Sequence, residues 1–143
     1  MALSAPIKRQ FAGIPQEVEP KLTVSATYYE GAILTLNPTT GYAAIPTDTA
    51  NEEVAGIVAG VYENGVRDDA YAMGTTSLRG KLYKGKTWIA VSGCAQTDVG
   101  VMHYPSTDDT MTKTAGLKTV GYRALDFKTG YLLFDFAQPD RIA

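Results

Sequence analysis

Turn-forming residues cut this chain at short, regular intervals, and that punctuation limits its fold more than any other feature. Asn37-Pro38-Thr39-Thr40-Gly41, Asn64-Gly65, Lys84-Gly85-Lys86, Pro105-Ser106-Thr107-Asp108-Asp109 and Asp126-Phe127-Lys128-Thr129-Gly130 each separate two apolar or alternating runs. Pro38 pre-sets φ for a first corner, and Gly41 can take φ > 0 at the exit. Asn-Gly suits a type I′ turn, whose twist matches paired strands. Between these turns the chain reads as strand. Leu22, Val24 and Ala26 alternate with Lys21, Thr23 and Ser25 and lead into Tyr28. Residues 31–36 and 42–45 flank the Asn37–Gly41 turn as partners. Residues 54–62 are apolar and rich in small side chains, which fits a buried strand or a short helix. Their three Val and one Ile, with two Gly, favour the strand.

Further runs follow at residues 66–73, 78–83, 87–91, 99–104, 110–114, 117–125 and 131–136. Residues 78–83 and 87–91 are expected to form a hairpin about Lys84-Gly85-Lys86, and 117–125 and 131–136 a last one. About ten short strands with turn signals every 8–12 residues predict an all-β barrel or sandwich. No stretch has the length and period of an amphipathic helix.

The first 20 residues break this pattern. Pro6, Pro15 and Pro20 interrupt any helix, and no alternation is present. The segment carries Ile7, Phe11 and Ile14, so it reads as an extended arm with apolar anchors that dock on a neighbour. The expected organisation is an arm over residues 1–20, a self-sufficient β domain over 21–136 and a short polar tail over 137–143. At 143 residues such a chain needs no metal or disulfide to be stable.

The rare residues exclude several chemistries. One Cys rules out an intrachain disulfide framework and a Cys-based zinc cluster, and one His rules out a His-pair zinc site. Cys94 and His103 have the residue types of a nucleophile and base, but no signature surrounds Cys94. His103, Ser106 and Asp108 lie within six residues, whereas triad members converge from distant supports. Asp68-Asp69 and Asp108-Asp109 lack the spacing of a calcium loop and read as solvated turns. No Gly-rich loop has phosphate-binding spacing. No enzyme, cofactor or metal is expected.

Thirteen Lys and Arg stand against fifteen Asp and Glu. A net charge of −2 argues against a general nucleic-acid binder, which needs a basic surface to displace counterions. No apolar run approaches the length of a bilayer span, and the N-terminus lacks a basic start followed by an apolar run, so no membrane partner and no secretion signal are expected. One local basic patch remains: Arg79, Lys81, Lys84 and Lys86, interleaved with Tyr83 and Trp88. It fits a single-strand binder, a charged edge that resists aggregation, or a contact to an acidic protein. The acidic balance of the chain favours the last two.

Residues 81–136 carry a further pattern. Lys-Gly-Lys leads into Trp88-Ile89-Ala90-Val91 and a Ser92-Gly93 exit. Asp98-Val99-Gly100, a short run to Tyr104, the Asp108-Asp109 turn and the Thr-rich 110–114 follow. Val120-Gly121 and Gly130-Tyr131-Leu132-Leu133-Phe134-Asp135-Phe136 close the domain, and Tyr29-Glu30-Gly31-Ala32 and residues 53–58 fit its front half. This order resembles the capsid decoration, or cement, proteins of tailed bacteriophages.

The resemblance implies a small barrel or β-clip/tulip-like domain with an extended N-terminal arm. It implies a virion protein made in the host cytoplasm that sits on the outer capsid surface. There it would bind the major capsid protein, assemble with itself as a homotrimer, and staple neighbouring capsid subunits. Ile7, Phe11 and Ile14 would be its apolar anchors, and Arg79, Lys81, Lys84 and Lys86 its polar contacts. A carbohydrate- or receptor-binding β module of a phage tail or fibre is the alternative, with Trp88 and the abundant Tyr as a stacking platform.

Overall fold

A computed structural model describes residues 3–23, 27–60, 62–63, 66–67 and 77–141. The protein is all-β, built from several curled sheets that include a half-barrel. Its strands are two to six residues long. They are shorter than the sequence runs because bulges and bends split them.

The largest sheet has seven strands, in the order Ser77–Arg79, Lys21–Thr23, Ala43–Ala44, Ile33–Leu36, Glu53–Val58, Leu82–Lys84, Gln16–Val18. All its pairings are antiparallel except Lys21–Thr23 with Ala43–Ala44. Its first strand and its sixth are joined by Gly80 and Lys81 alone, so the sheet must curl until those two strands nearly meet. Gly80 permits this: its N–H donates to Pro20 O at 3.1 Å, and a Cβ there would lie 2.5 Å from Leu22 Cδ1. The expected single strand 78–83 is therefore two strands on opposite sides of the curl.

The central pair of this sheet separates two cores. Leu34, Ala55 and Val58 face an aliphatic core with Leu22, Tyr28, Ala32, Ala43 and Leu82. Ile33, Val54 and Ile57 face an aromatic core with Ile89, Met111, Tyr122, Ala124, Leu132, Phe134 and Phe136. In a regular strand Val54 and Ile57 would point to opposite faces. A register shift between Leu34 and Thr35 makes them share one: Leu34 pairs with Gly56 and Thr35 with Val54, which leaves Ala55 as the extra residue of a β-bulge. Gly56 has φ +152°, and a Cβ would meet Tyr83 O at 2.9 Å. Residues 53–58 are thus the strand, not a helix.

Two four-stranded sheets close the aromatic core. One runs Gln10–Phe11, Lys86–Ala90, Tyr131–Asp135, Asp126–Lys128, and the other Met111–Thr112, Met102–Pro105, Val120–Arg123, Asp140–Arg141. A three-stranded sheet of Thr27–Tyr28, Tyr62–Glu63 and Val66–Arg67 completes the described residues. Its last two strands pair antiparallel, as the Asn-Gly signal predicts. Asn64-Gly65 itself, the rest of the 66–73 run and Asp68-Asp69 lie outside the described residues.

Other turns match their chemistry. Asn37 Oδ1 accepts the N–H groups of Thr39 and Thr40, Gly41 N–H donates to Asn37 O at 2.7 Å, and Gly41 takes φ +75°. The last hairpin is tighter than expected. Asp126–Lys128 is itself strand, and Thr129-Gly130 alone forms the loop, with Gly130 at φ +83°. The only helical turn among the described residues is a 3₁₀ segment, Gln96–Asp98, in the small-residue connection.

Two expectations are corrected. Lys84-Gly85-Lys86 is not a hairpin, because Leu82–Lys84 and Lys86–Ala90 pair in different sheets. It is a corner where the chain changes sheet. The first 20 residues are likewise not an arm separate from the domain. Gln10–Phe11 pairs with Thr87–Trp88 and Gln16–Val18 with Leu82–Lys84, so this segment forms an edge strand of both sheets. We call it the strap.

Candidate partner-contact surface

The strap runs antiparallel to residues 82–88 around the corner at Gly85. Between Phe11 and Gln16 it has four residues, while its partner has only Gly85 and Lys86 between Lys84 and Thr87. The surplus bulges outward. Ala12 N–H still reaches Lys86 O at 3.0 Å, Gly13 turns at φ +92°, and Pro15 packs 3.4 Å from the Cβ position of Gly85. Ile14, at the crest, is 100% exposed. The sequence-predicted anchor Ile14 and the predicted cations Lys84 and Lys86 therefore meet at one corner.

The other predicted contact residues have partners within the fold. Ile7 sits on Gly31, where a Cβ would lie 2.5 Å from Ile7 O, and its N–H donates to Glu30 O at 2.9 Å. Phe11 is half-buried against the aromatic core and meets Tyr83 edge-on, with centroids 5.6 Å apart. Lys81 pairs with Glu17 at 3.2 Å, and Arg79 donates to Glu19 O at 3.0 Å. The strap thus neutralises part of the basic patch that it crosses. Of the three apolar anchors only Ile14 is fully exposed.

Polar groups hold the strap's first half. Asp108, buried, accepts Leu3 N–H at 2.8 Å. Arg9 donates from Nε to Gly31 O and from a terminal nitrogen to Asp109 O, at 2.9 and 2.7 Å, and stands 3.5 Å from the Asp109 carboxylate. Burial lowers the Arg9 pKa, and the nearby Asp109 and Asp108 oppose that shift. The Asp108-Asp109 pair, read from sequence as a solvated turn, is thus a clamp for the strap.

Sequence reasoning offered Trp88 and the tyrosines as a stacking platform but did not find which tyrosine and which cation join it on a second surface. On the outer face of the sheet that begins with Gln10–Phe11, Gln10 pairs with Trp88, Ala90 with Tyr131, and Tyr131 with Lys128. Lys128 Nζ lies 4.5 Å from the Trp88 ring centroid and 5.3 Å from that of Tyr131, and donates to Gln10 Oε1. Beside these rings opens a cleft of about 390 Å³ that Lys8 and Asp109 also border. The missing signal was alternation. Tyr131 and Leu133 share one face of their strand, opposite Leu132 and Phe134, but Leu133 is itself buried, so no alternation shows in the run.

Cys94 and His103 border one small cleft of about 170 Å³ with Asp98 and Lys113. His103 is buried and meets Phe134 edge-on at 5.2 Å, and its Nδ1 lies 2.8 Å from Val101 O, which requires the proton on Nδ1. Burial is the main cause that lowers its pKa. Asp98 accepts Ala95 N–H at 2.9 Å and Lys113 Nζ at 3.0 Å, and these bonds lower its pKa. Each group is used to hold local structure. Asp108, bonded to Leu3, is likewise engaged away from any triad.

Elsewhere the buried Glu52 and Lys118 pair at 3.2 Å, and both bond Thr47. They tie the 46–52 loop to the 115–119 loop. Among the described residues no group of three or more His, Cys, Asp or Glu could hold a metal ion, and no helix is long and apolar enough to cross a membrane. No family model matches the chain, and no curated protein or solved structure matches it.

Proposed function

We propose that this protein is a structural virion component that binds the outside of a tailed-phage capsid and staples neighbouring capsid subunits. The observation that carries the reading is the Ile14 crest. A fully exposed β-branched side chain crowns the bulge at the corner that carries Lys84 and Lys86, on a ribbon whose two ends are fixed in two sheets. A rigid apolar anchor beside cations fits a pocket with an acidic rim, and rigidity lowers the ordering cost of binding. The resemblance of residues 81–136 to decoration proteins supports the major capsid protein as partner and a homotrimeric form.

The mechanism is linkage. A ligand that binds only the mature lattice stabilises it by mass action, and a trimer adds avidity across subunits. This work needs no catalytic turnover, no cofactor and no nucleic acid. The protein would be made in the host cytoplasm and act on the outer capsid surface.

The test mixes purified protein with mature, undecorated phage heads and follows co-sedimentation and heat resistance. The wild type should co-sediment and raise the heat tolerance of the heads. Ile14→Asp, a change at a fully exposed site, should keep the unfolding transition and weaken head binding by about tenfold or more, as loss of an anchor does. Absence of co-sedimentation by the wild type would overturn the proposal. Equal binding by Ile14→Asp would overturn the role of the crest.

A further inference from the structure

We infer that the cleft at Trp88, Tyr131 and Lys128 is a binding site for an acidic oligosaccharide, one whose sugar rings carry carboxylates. It lies on the outer face of the Lys86–Ala90 sheet and is separate in chemistry from the Ile14 crest.

Three observations carry this. The first is shape. The cleft has about 390 Å³ of space, within the range of small-ligand sites, and two aromatic side chains border it beside hydrogen-bonding groups. Gln10, directly across from Trp88, offers amide donors and an acceptor for ring hydroxyls.

The second is the register. Trp88 and Tyr131 are diagonal neighbours on adjacent strands, because Ala90 stands opposite Tyr131. Diagonal neighbours lie about 7–8 Å apart, which lets two rings form one continuous platform. Such a platform accepts the C–H face of a sugar, since Trp and Tyr combine apolar area with a polar edge.

The third is charge. Around the cleft Lys8 pairs with Glu30 at 3.0 Å and Arg9 with Asp109 at 3.5 Å. Lys128 instead rests on the two ring faces and the Gln10 amide. Among the cations that line the cleft, Lys128 is thus the one held by rings and an amide rather than by a carboxylate. A bound carboxylate would draw the Lys128 ammonium off the rings and form a charge-assisted hydrogen bond with it, while the vacated faces take the sugar ring.

Trp88 is the chain's single tryptophan, so emission excited on the red side of tyrosine absorption reports on this cleft. The experiment titrates the full-length protein with trigalacturonate, with maltotriose as the neutral control and AMP as the nucleotide control. Trigalacturonate should give a saturable change in Trp88 emission; maltotriose, which has no carboxylate, should bind at least about tenfold more weakly, the effect of one charge-assisted bond, and AMP, which lacks the pyranose C–H face, should bind more weakly too. Lys128→Gln should raise the half-saturation point by about tenfold, and so should Tyr131→Ala. Both side chains are at the surface, and an unchanged far-ultraviolet spectrum would verify that the variants fold. If Tyr131→Ala does not fold, Lys128→Gln and weakening of the wild type by salt decide the matter.

No saturable change with trigalacturonate overturns the inference. So does equal binding of maltotriose, or binding of AMP in its place. An emission change that follows protein concentration without ligand would assign the face to a second copy of the chain and would also overturn it. Capsid binding by Tyr131→Ala should equal that of the wild type, which separates this result from the fate of the Ile14 crest.

Discussion

The two cores lie on opposite faces of the same pair of strands, yet they are enclosed in different ways. The aliphatic core of Leu22, Leu34, Ala43, Ala55, Val58 and Leu82 is wrapped largely by one curled sheet. The aromatic core draws on three sheets and is filled by rings. Phe134 stacks on Phe136 at 6.1 Å, and Tyr122 meets Phe136 edge-on at 5.2 Å. The lesson concerns the strap. It packs Leu3 and Val18 against the first core and Phe11 against the second. A segment that looks detachable in sequence is a staple between two hydrophobic compartments.

The largest expected effect therefore comes from removing the strap. Deletion of residues 1–20 would strip an edge strand from each of two sheets and leave the buried Asp108 without Leu3 N–H. The melting temperature should fall by more than for any substitution below. A truncated protein that melts with the wild type would restore the segment to a dispensable arm and break the comparison. Within the cores, Phe134→Ala should cost about 4 kcal/mol and Leu22→Ala about 3 kcal/mol in urea unfolding, the usual range for cavities of these sizes. Reversal of that order would show that the curled sheet collapses less readily around a void than the three-sheet core does.

A smaller effect isolates one hydrogen bond within the aromatic core. Tyr122 Oη accepts the N–H of Val54 at 2.8 Å, at the bulge that sends Val54 into the aromatic core. Burial pushes the Tyr122 pKa up. Tyr122→Phe keeps the ring and orphans a buried donor, so stability should drop by about 1–3 kcal/mol. Faster amide exchange at Val54 in the variant would tie the loss to that bond. Equal stability would mean that water satisfies the group.

Much of this architecture is legible in the sequence because it rests on local chemistry. Asn37-Pro38 and Gly41 dictate their own turn, and the apolar run 131–136 after Gly130 gives the strand. The misreadings are non-local. Nothing near Gly85 announces that its flanking strands enter different sheets, since a sheet-changing corner and a hairpin turn use the same residues. Residues 10–11 and 16–18 show no strand pattern because strands of two and three residues are too short to carry an alternation. The candidate crest was half visible. Ile14, Lys84 and Lys86 can be named from sequence, but their meeting depends on a register difference that only pairing reveals.

The smallest effect probes the aromatic core by pH. His103 is buried against Phe134, and burial holds its pKa below the ordinary 6.5. Its unfolded form therefore binds a proton first as pH falls. The contribution is fully present above pH 6.5 and is lost as pH drops through that value toward the lower folded pKa. Asp98 and Lys113 face the same cleft, but Asp98 has a lowered carboxyl pKa and titrates below this window. With a single His in the chain, urea unfolding at pH 7 and pH 5 should differ mainly through this residue, with the lower value at pH 5. His103→Gln should flatten that difference. A pH dependence that survives the substitution would place its source outside the aromatic core. The aliphatic core supplies the control, since its one ionisable member, Tyr28, is pushed up to about 12 and stays neutral across the range.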